Sequence, residues 1–251
     1  MKTSKENIEF YADNILIKGI LHLPDKKHVN KSIPLVIGSH GLEGSKYSAK
    51  QTILSKILPQ NNIGFLRFDH RGCGDSGGDF LKDTSVPNRA SDFIHAVKYL
   101  IDNKIAAHKI GIFGSSLGGS TCIEAWKDIE KMDIDLAGCV LCAAPVKSRT
   151  IENIPVHEKT NDNQPGLPMS FFVENLDFDL SDKIANIRNV LIFHGKADEV
   201  VPVENAQAIY EKSKGLKKLI LFENGDHQTS SIQDQKIFEQ ETLKWFKAIF
   251  F

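Results

Sequence analysis

The chain has 251 residues, of which 41% are hydrophobic and 25% are charged, an ordinary balance for a folded domain. The 31 basic and 32 acidic side chains nearly cancel, which argues against a nucleic-acid-binding face and against an acidic interaction tail. No segment approaches the roughly 18 consecutive apolar residues of a membrane span. The opening residues MKTSKENIEF lack the apolar core of a secretory signal.

The four cysteines indicate buried thiols rather than a disulfide framework or a metal site. Cys73, Cys122, Cys139 and Cys142 have the spacing of neither. The last two form a CxxC within the apolar run 136–144, and residues three apart on a strand point to opposite faces. We therefore expect no metal and a reducing, cytoplasmic location; a redox pair on a helical turn is the alternative.

Short apolar runs alternate with longer amphipathic stretches along the chain. Strands are predicted over 8–12, 15–23, 33–39, 63–68, 109–113, 136–144, 189–193 and 218–222. Helices are predicted over 48–58, 89–102, 117–127, 203–214 and 231–250. The turn pair Asp13-Asn14 makes the first two strands a hairpin, and Pro59 is expected to follow the end of the first helix. This alternation predicts one α/β domain over residues 1–251, with a mostly parallel sheet covered on both faces.

Residues 147–182 interrupt the alternation. The segment carries three basic and seven acidic residues, three prolines and the apolar patch MSFFV at 169–173. A structureless loop of this length is uncommon in a compact domain unless it is a lid or a binding element. We therefore predict a lid or pocket wall in which Met169, Phe171 and Phe172 offer apolar surface to a substrate. The alternative is a surface excursion with one short helix on the core.

The most informative short motif is GSSLG at 114–118, which matches GxSxG. It lies directly after a predicted strand and directly before a predicted helix, where a nucleophile elbow occurs. A serine on so sharp a turn needs glycine two residues to either side, because larger side chains would collide there. Only Ser116 stands between the two glycines; Ser115 is the competing serine, and a helix cap is the alternative role for both.

A serine hydroxyl needs a base, and the base needs an orienting acid. Asp198 follows the predicted strand 189–193 and His227 follows the predicted strand 218–222. Both therefore lie in loops at the carboxyl edge of the sheet, where sites in open α/β folds occur. Glu199 is the competing acid. The order Ser, Asp, His along the chain is typical of α/β-hydrolases.

With these residues in place, the chain resembles the α/β-hydrolase superfamily over nearly its whole length. The motifs that carry the resemblance are SHGLEGSK, RFDHRGCGDS, GSSLGG, HGKADEVVP and NGDHQ. Within the superfamily it is similar to the small bacterial acyl esterases, including cinnamoyl and feruloyl esterases, and to serine-aminopeptidase-like hydrolases. The resemblance implies the α/β-hydrolase fold, with Ser116 as nucleophile, Asp198 as acid and His227 as base. It also implies an oxyanion hole made by the backbone N–H groups of Leu42 and Leu117.

Other polar residues of these motifs are predicted to be structural. His40 is expected to brace the oxyanion turn rather than to act as a second base, and Asp226 is expected to fix the loop of His227. Side-chain-to-backbone hydrogen bonds are expected to hold the turn after the strand at 63–68 together. The residues concerned are His70, Arg71, Asp75 and Ser76.

The expected activity is hydrolysis of a small to medium acyl ester, aromatic esters included, through an acyl-enzyme. No metal or organic cofactor is required, and the expected partner is a small-molecule ester rather than a nucleic acid or a membrane. A thioesterase or a small amidase or aminopeptidase would use the same three residues. A non-catalytic binding protein is the alternative from another class, although such a protein would be expected to lack one of them. The sequence gives no indication of the oligomeric state.

Overall fold

A computed structural model describes residues 3–24, 33–105, 109–152 and 167–251. In this part of the chain one sheet of eight strands has the order β1-β2-β4-β3-β5-β6-β7-β8. The strands are β1 (Thr3–Ala12), β2 (Ile15–Pro24), β3 (Leu35–Ser39), β4 (Gly64–Phe68), β5 (Lys109–Ser115), β6 (Asp135–Cys142), β7 (Arg188–Gly195) and β8 (Lys214–Phe222). From β4 through β3 to β8 every pairing is parallel, whereas β2 pairs antiparallel with both β1 and β4. The predicted mostly parallel sheet of the α/β-hydrolase fold is confirmed.

The helices cover both faces of the sheet. They are α1 (Ala49–Gln60), α2 (Phe80–Asp83), α3 (Val86–Asp102), α4 (Leu117–Glu130), α5 (Met169–Asn175), α6 (Glu204–Lys212) and α7 (Ile232–Phe250). Apolar residues of α3, α4 and α6 bury themselves in one core cluster, and those of α1 and α7 in a second. Successive side chains along a strand point alternately into the two clusters, as a sheet covered on both faces requires.

The N-terminal hairpin is confirmed, and its turn explains its sequence. Asp13 and Asn14 have φ angles of 50° and 66°. Two consecutive residues with positive φ form the turn type whose twist matches a two-residue hairpin, and Asn and Asp tolerate that conformation. All ten residues of β1 pair with β2, from Thr3 opposite Pro24 to Ala12 opposite Ile15.

Several predicted helix boundaries are wrong: α4, for example, ends at Glu130 rather than at residue 127, and α6 ends at Lys212 rather than at residue 214. Two of the differences involve a proline and a cap. Pro59 lies inside α1 instead of after its end. Pro59 has no N–H with which to continue the helical bonds, and the helix ends one residue later, where the Asn61 and Ile63 N–H groups donate to the Leu58 carbonyl. The helix predicted to begin at Arg89 begins at Val86, because the Ser85 side chain caps it by accepting a hydrogen bond from the Asn88 N–H.

The CxxC cysteines lie on β6, so the helical-turn redox alternative is wrong. Cys139 packs in the cluster beneath α3 and α4, whereas Cys142 packs in the cluster beneath α1 and α7. Burial raises the pKa of the Cys142 thiol to about 12 and raises that of Cys139 well above its ordinary value. Neither thiol has the exposed, thiolate-favouring surroundings of a reactive cysteine.

Among the helices of the described residues, none is long and apolar enough to cross a membrane.

Candidate active site

Ser116 occupies the sharp turn between β5 and α4. Its φ of 53° and ψ of −129° form a strained conformation for a residue with a side chain. A methyl group at Gly114 would overlap the carbonyl group of Gly118, and one at Gly118 would stand 2.6 Å from the His40 carbonyl oxygen. Both glycines of GxSxG are therefore required by close backbone approach.

The structure brings Ser116, His227 and Asp198 together although His227 lies 111 residues from Ser116. The distance between Ser116 Oγ and His227 Nε2 is 3.0 Å. On the far side of the ring, Nδ1 lies 3.0 Å and 2.9 Å from the two carboxylate oxygens of Asp198. With the Nδ1 proton donated to the carboxylate, Nε2 carries the lone pair that accepts the serine hydroxyl proton.

The Asp198 carboxylate is fully buried and receives several hydrogen bonds. The N–H groups of Val200 and Val201 donate to Oδ1 at 2.9 Å and 2.8 Å. His194 Nε2 lies 3.3 Å from Oδ2 and 2.7 Å from the Val201 carbonyl oxygen. Burial raises the pKa of Asp198, but the hydrogen bonds from His194, His227 and Val201 outweigh it and hold this pKa well below the ordinary range. The group is therefore a carboxylate, as an orienting acid must be.

The turn after β3 borders Ser116. A methyl group added to Gly41 would stand 3.5 Å from Ser116 Cβ, and Leu42 follows it directly. His40 Nδ1 lies 2.7 Å from the Gly41 carbonyl oxygen, and His40 Nε2 accepts the His70 N–H at 3.1 Å. Burial, followed by the charge of Arg89, lowers the pKa of His40 well below its ordinary value. His40 thus braces this turn as a neutral ring, as predicted.

The turn after β4 is held by side chains of the four predicted residues, but only Ser76 makes the predicted kind of bond, from a side chain to the backbone. The bonds of the His70, Arg71 and Asp75 side chains run to other side chains, which corrects the prediction. Ser76 Oγ donates to the Asp69 carbonyl at 2.7 Å, and Arg71 Nε donates to Asp92 Oδ1 at 2.7 Å. Asp75 accepts a bond from the buried Lys46 at 2.6 Å. The predicted role of Asp226 is also confirmed, since its Oδ1 accepts the Ser230 N–H at 2.8 Å.

A second serine–histidine–aspartate chain lies beneath this turn. Ser39 Oγ is 2.8 Å from His70 Nε2, and His70 Nδ1 is 3.3 Å from Asp92 Oδ2. All three residues are completely buried, so no substrate reaches them. These three hydrogen-bonded side chains connect β3, the turn after β4, and α3, and their role is structural.

Part of the segment 147–182 falls outside the described residues, namely 153–166. Of its predicted pocket residues, Phe171 is buried and stacks on Phe80 with ring centroids 5.5 Å apart, whereas Met169 is exposed. Phe172 lines a cavity of about 280 Å³ with Ser148, Arg149, Ile151, Val173, Leu176 and Asp177. None of Ser116, Asp198 and His227 lines that cavity. The segment reaches the loop of Asp198 where the Glu152 N–H donates to the Val200 carbonyl at 2.8 Å.

Sequence reasoning gave no role to two buried residues of this region. His194 supports Asp198, and Arg89 donates to the carbonyl oxygens of His40 and Gly41. A signal for Arg89 was available. It lies four, eight and eleven residues before the apolar positions 93, 97 and 100, so a charged residue stands on the buried face of α3.

Comparison with known proteins finds relatives in sequence and solved structures of similar fold. The uncharacterized protein YfhR of Escherichia coli K12 is 26% identical over 228 residues, which are 89% of this chain and 74% of YfhR. The structure of Est1E from Butyrivibrio proteoclasticus with bound ferulic acid is 22% identical, with a TM-score of 0.78 over 97% of this chain and 98% of that one. The Pyrococcus furiosus esterase Pf2001 is 20% identical, with a TM-score of 0.77 over 99% of this chain and 92% of that one.

The model of the prolyl oligopeptidase family matches residues 51–250, about four fifths of the chain. The matched range holds the GxSxG turn and the loops of Asp198 and His227. By this match the chain belongs to the prolyl oligopeptidase family and is a serine hydrolase with the α/β-hydrolase fold.

Proposed function

We propose that the chain hydrolyses small to medium acyl esters, with Ser116 as nucleophile, His227 as general base and Asp198 as the orienting acid. The observation that carries this proposal is the 3.0 Å contact between Ser116 Oγ and His227 Nε2, with the opposite ring nitrogen held by the Asp198 carboxylate. Nucleophile, base and orienting group within hydrogen-bond reach of one another are the arrangement that nucleophilic acyl transfer requires.

The proposed reaction has two halves. His227 Nε2 takes the Ser116 hydroxyl proton as Oγ attacks the ester carbonyl carbon, and the carbonyl electron pair moves onto the oxygen. The tetrahedral intermediate collapses by breaking the bond to the alkoxy oxygen, which leaves with the proton held by His227. A water molecule then repeats the attack on the acyl-enzyme and releases the carboxylic acid.

The developing oxyanion is proposed to bind the backbone N–H groups of Leu42 and Leu117. Leu117 begins α4 directly after the nucleophile, and Leu42 belongs to the turn that borders Ser116. Both N–H groups are therefore carried by segments that adjoin Ser116, where they are proposed to donate to the oxyanion. The first turn of α4 also places the positive end of its dipole at this point.

The acyl side of the substrate is proposed to lie against residues 147–182, the predicted lid or pocket wall. The described part of this segment is tied to the loop of Asp198 through Glu152 and carries the aromatic residues Phe171 and Phe172. Est1E, which has the same fold, binds ferulic acid, a compound with an aromatic ring and a carboxyl group. We therefore include aromatic acyl esters among the substrates to test.

An amide or peptide substrate is the second candidate, and the family match favours it. The same attack on an amide expels an amine, for which His227 must supply the proton. Esters have the better leaving group, so an enzyme of either kind is expected to cleave an activated ester. A series of acyl esters, thioesters and aminoacyl amides distinguishes the two by their ratios of kcat/KM.

The proposal is tested with p-nitrophenyl acetate and p-nitrophenyl butyrate. We expect Ser116→Ala to lower kcat by at least on the order of 10⁴-fold, to the level left by binding and the oxyanion hole. The matched control is Ser115→Ala, which removes the neighbouring hydroxyl and is expected to stay within about threefold of the parent. A fluorophosphonate probe should label the parent and Ser115→Ala but not Ser116→Ala. Turnover that persists in Ser116→Ala would contradict the nucleophile, and an unlabelled, inactive parent would favour a binding protein.

We also propose a reducing, cytoplasmic location. All four cysteines are free and buried, a pattern typical of proteins from compartments that keep thiols reduced.

A further inference from the structure

Arg89 is a buried cation that the proposed reaction does not use. It lies on α3, its side chain is completely buried, and its NH2 group donates to the carbonyl oxygens of His40 and, at 3.3 Å, of Gly41. Its Nε donates to Thr121 Oγ1 on α4 at 3.4 Å. Burial lowers the pKa of Arg89, but an arginine starts so high that it stays charged at neutral pH. A buried charge is costly, so one held among backbone carbonyls calls for an explanation.

The Gly41 carbonyl belongs to the same peptide unit as the Leu42 N–H. This peptide bond is trans, so its C=O and N–H point in opposite directions. Three donors hold the Gly41 oxygen: His40 Nδ1 at 2.7 Å, the Gly44 N–H at 3.3 Å and Arg89. Fixing the oxygen fixes the direction of the amide. The charge of Arg89 also polarises the peptide unit, which makes the amide a stronger donor.

The other contact of Arg89 leads to the first turn of α4, which carries the second N–H group of the proposed oxyanion hole. Thr121 Oγ1, which accepts from Arg89, donates to the Leu117 carbonyl at 2.9 Å. Arg89 therefore bridges the turn that supplies the Leu42 N–H and the first turn of the helix that supplies the Leu117 N–H. The two segments are also in direct contact, since a methyl group at Gly118 would overlap the Ser39 carbonyl oxygen.

We propose that Arg89 is the positioning residue of the oxyanion hole, and that it sets the direction of the Leu42 amide and its separation from the Leu117 amide. The inference rests on the proposed function and deepens it. Arg89 contacts carbonyl groups and a threonine rather than the substrate, so its loss should weaken binding of the transition state more than binding of the ester.

The test compares Arg89→Met and Arg89→Lys with the parent on p-nitrophenyl butyrate. We expect Arg89→Met to lower kcat by on the order of 10–100-fold while KM changes by less than about threefold. Arg89→Lys keeps the charge and can reach a carbonyl without bridging to Thr121, so it should recover part of the loss. Affinity for pentyl trifluoromethyl ketone, which forms an oxyanion on the serine, should fall in step with kcat/KM. Affinity for methyl pentyl ketone, which binds without that adduct, should stay near the parent value.

Arg67→Met is the matched control. Arg67 is also buried and also donates to a backbone carbonyl, that of Lys46 at 2.9 Å, four residues beyond Leu42. Its other hydrogen-bond partners are His22 and Thr52, so it contacts neither the Gly41 carbonyl nor Thr121. The Arg67→Met variant should be less stable than the parent without a selective loss of affinity for the trifluoromethyl ketone. Circular dichroism and urea unfolding show which variants fold. If Arg89→Met does not fold, the kcat values and ketone affinities of Arg89→Lys and Thr121→Val test the proposal instead.

The outcomes separate the two proposals. Folded Arg89 variants with the parent's kcat and ketone affinities, in a protein whose turnover depends on Ser116, would overturn this inference and leave the proposed function standing. An equal selective loss in Arg67→Met would overturn it as well, because any buried arginine would then have the same effect. A parent protein that neither cleaves esters nor reacts with the fluorophosphonate would overturn both proposals.

Discussion

Asp198 and Glu199 are adjacent carboxylates in very different surroundings. The Asp198 side chain is fully buried, accepts two backbone N–H groups and contacts both His194 and His227. Glu199 is exposed at the surface of the same loop. The hydrogen bonds from the Val200 and Val201 N–H groups turn the Asp198 side chain inward, toward the His227 ring.

We expect Asp198→Asn to lower kcat on p-nitrophenyl butyrate by on the order of 10³–10⁴-fold, since an amide no longer selects the tautomer with a free Nε2 lone pair. Glu199→Gln, an equally conservative change, should alter kcat by no more than about twofold, because surface substitutions typically change free energies by at most about 0.5 kcal/mol. Steady-state kinetics at neutral pH measure both. If Glu199→Gln showed the larger loss, the orienting acid would be the wrong residue.

The role of a residue can be predicted from the sequence when the residues next to it in the chain indicate that role. Ser116 is marked by two glycines that the backbone requires, and the position of His227 after the last strand is equally local. The choice between Asp198 and Glu199 needed the resemblance, because both follow the same strand. Spacing on α3 could have indicated that Arg89 is buried, but not that it contacts the carbonyl groups of His40 and Gly41. The contact of His194 with Asp198 likewise depends on the conformation of the loop, which no spacing rule supplies.

At the scale of elements, the turn from β5 into α4 is packed against the turn after β3. A methyl group at Gly118 would overlap the Ser39 carbonyl oxygen, and one at Gly119 would overlap the Ala144 side chain. The helix can approach the sheet this closely only while its first turn carries no side chains at these positions. The turn after β3 also adjoins Ser116, since a methyl group at Gly41 would stand 3.5 Å from Ser116 Cβ.

Gly118→Ala is therefore expected to push α4 away from the turn after β3. Overpacking of a tight contact costs about 1–3 kcal/mol of stability, and a displacement near 1 Å at the reacting groups lowers kcat by on the order of 100-fold. Gly77→Ala is the control, because a methyl group there would meet its nearest neighbours at an ordinary 3.5 Å. Urea unfolding and ester kinetics measure the two effects. A Gly118→Ala variant with the parent's kcat would contradict the packing argument.

Among the elements, the sequence predicts the long periodic ones and misses those that depend on tertiary contacts. The eight strands and the five long helices follow from apolar periodicity. The four-residue helix α2 has too few residues for any period. Helix α5, whose Phe171 stacks on Phe80, is predicted only in the alternative of one short helix on the core. Pro59 is predicted to lie outside α1 because proline disrupts a helix interior, yet the helix includes Pro59 and ends one residue after it.

At the scale of the whole molecule, buried ionisable residues join β3, β4 and α3 beneath the site. His40 and His70 are completely buried in contact with one another, and Arg89 and Arg71 lie beside them. Burial and then the neighbouring arginine charges lower the pKa of both histidines well below 6.5. Burial likewise lowers the pKa of His22, which contacts Arg67 on β4, to about 4.

These histidines predict a loss of stability in mild acid. Below pH 6.5 the unfolded chain takes up protons that the folded chain excludes, so the free energy of unfolding falls as the pH falls. Each such histidine contributes up to about 1.4 kcal/mol per pH unit until its folded pKa is reached. Urea unfolding between about pH 7 and pH 5 should therefore show a steep decline.

Replacing one buried histidine tests the assignment. His70→Asn removes one titrating group, so its stability should decline less steeply than that of the parent, by about 1.4 kcal/mol per pH unit. The variant starts from a lower stability, because the contacts with Ser39 and Asp92 are lost, and only the slopes are compared. Equal slopes in the two proteins would mean that His70 takes up its proton in the folded state. The packed histidine pair would then not be the acid-sensitive element of the fold.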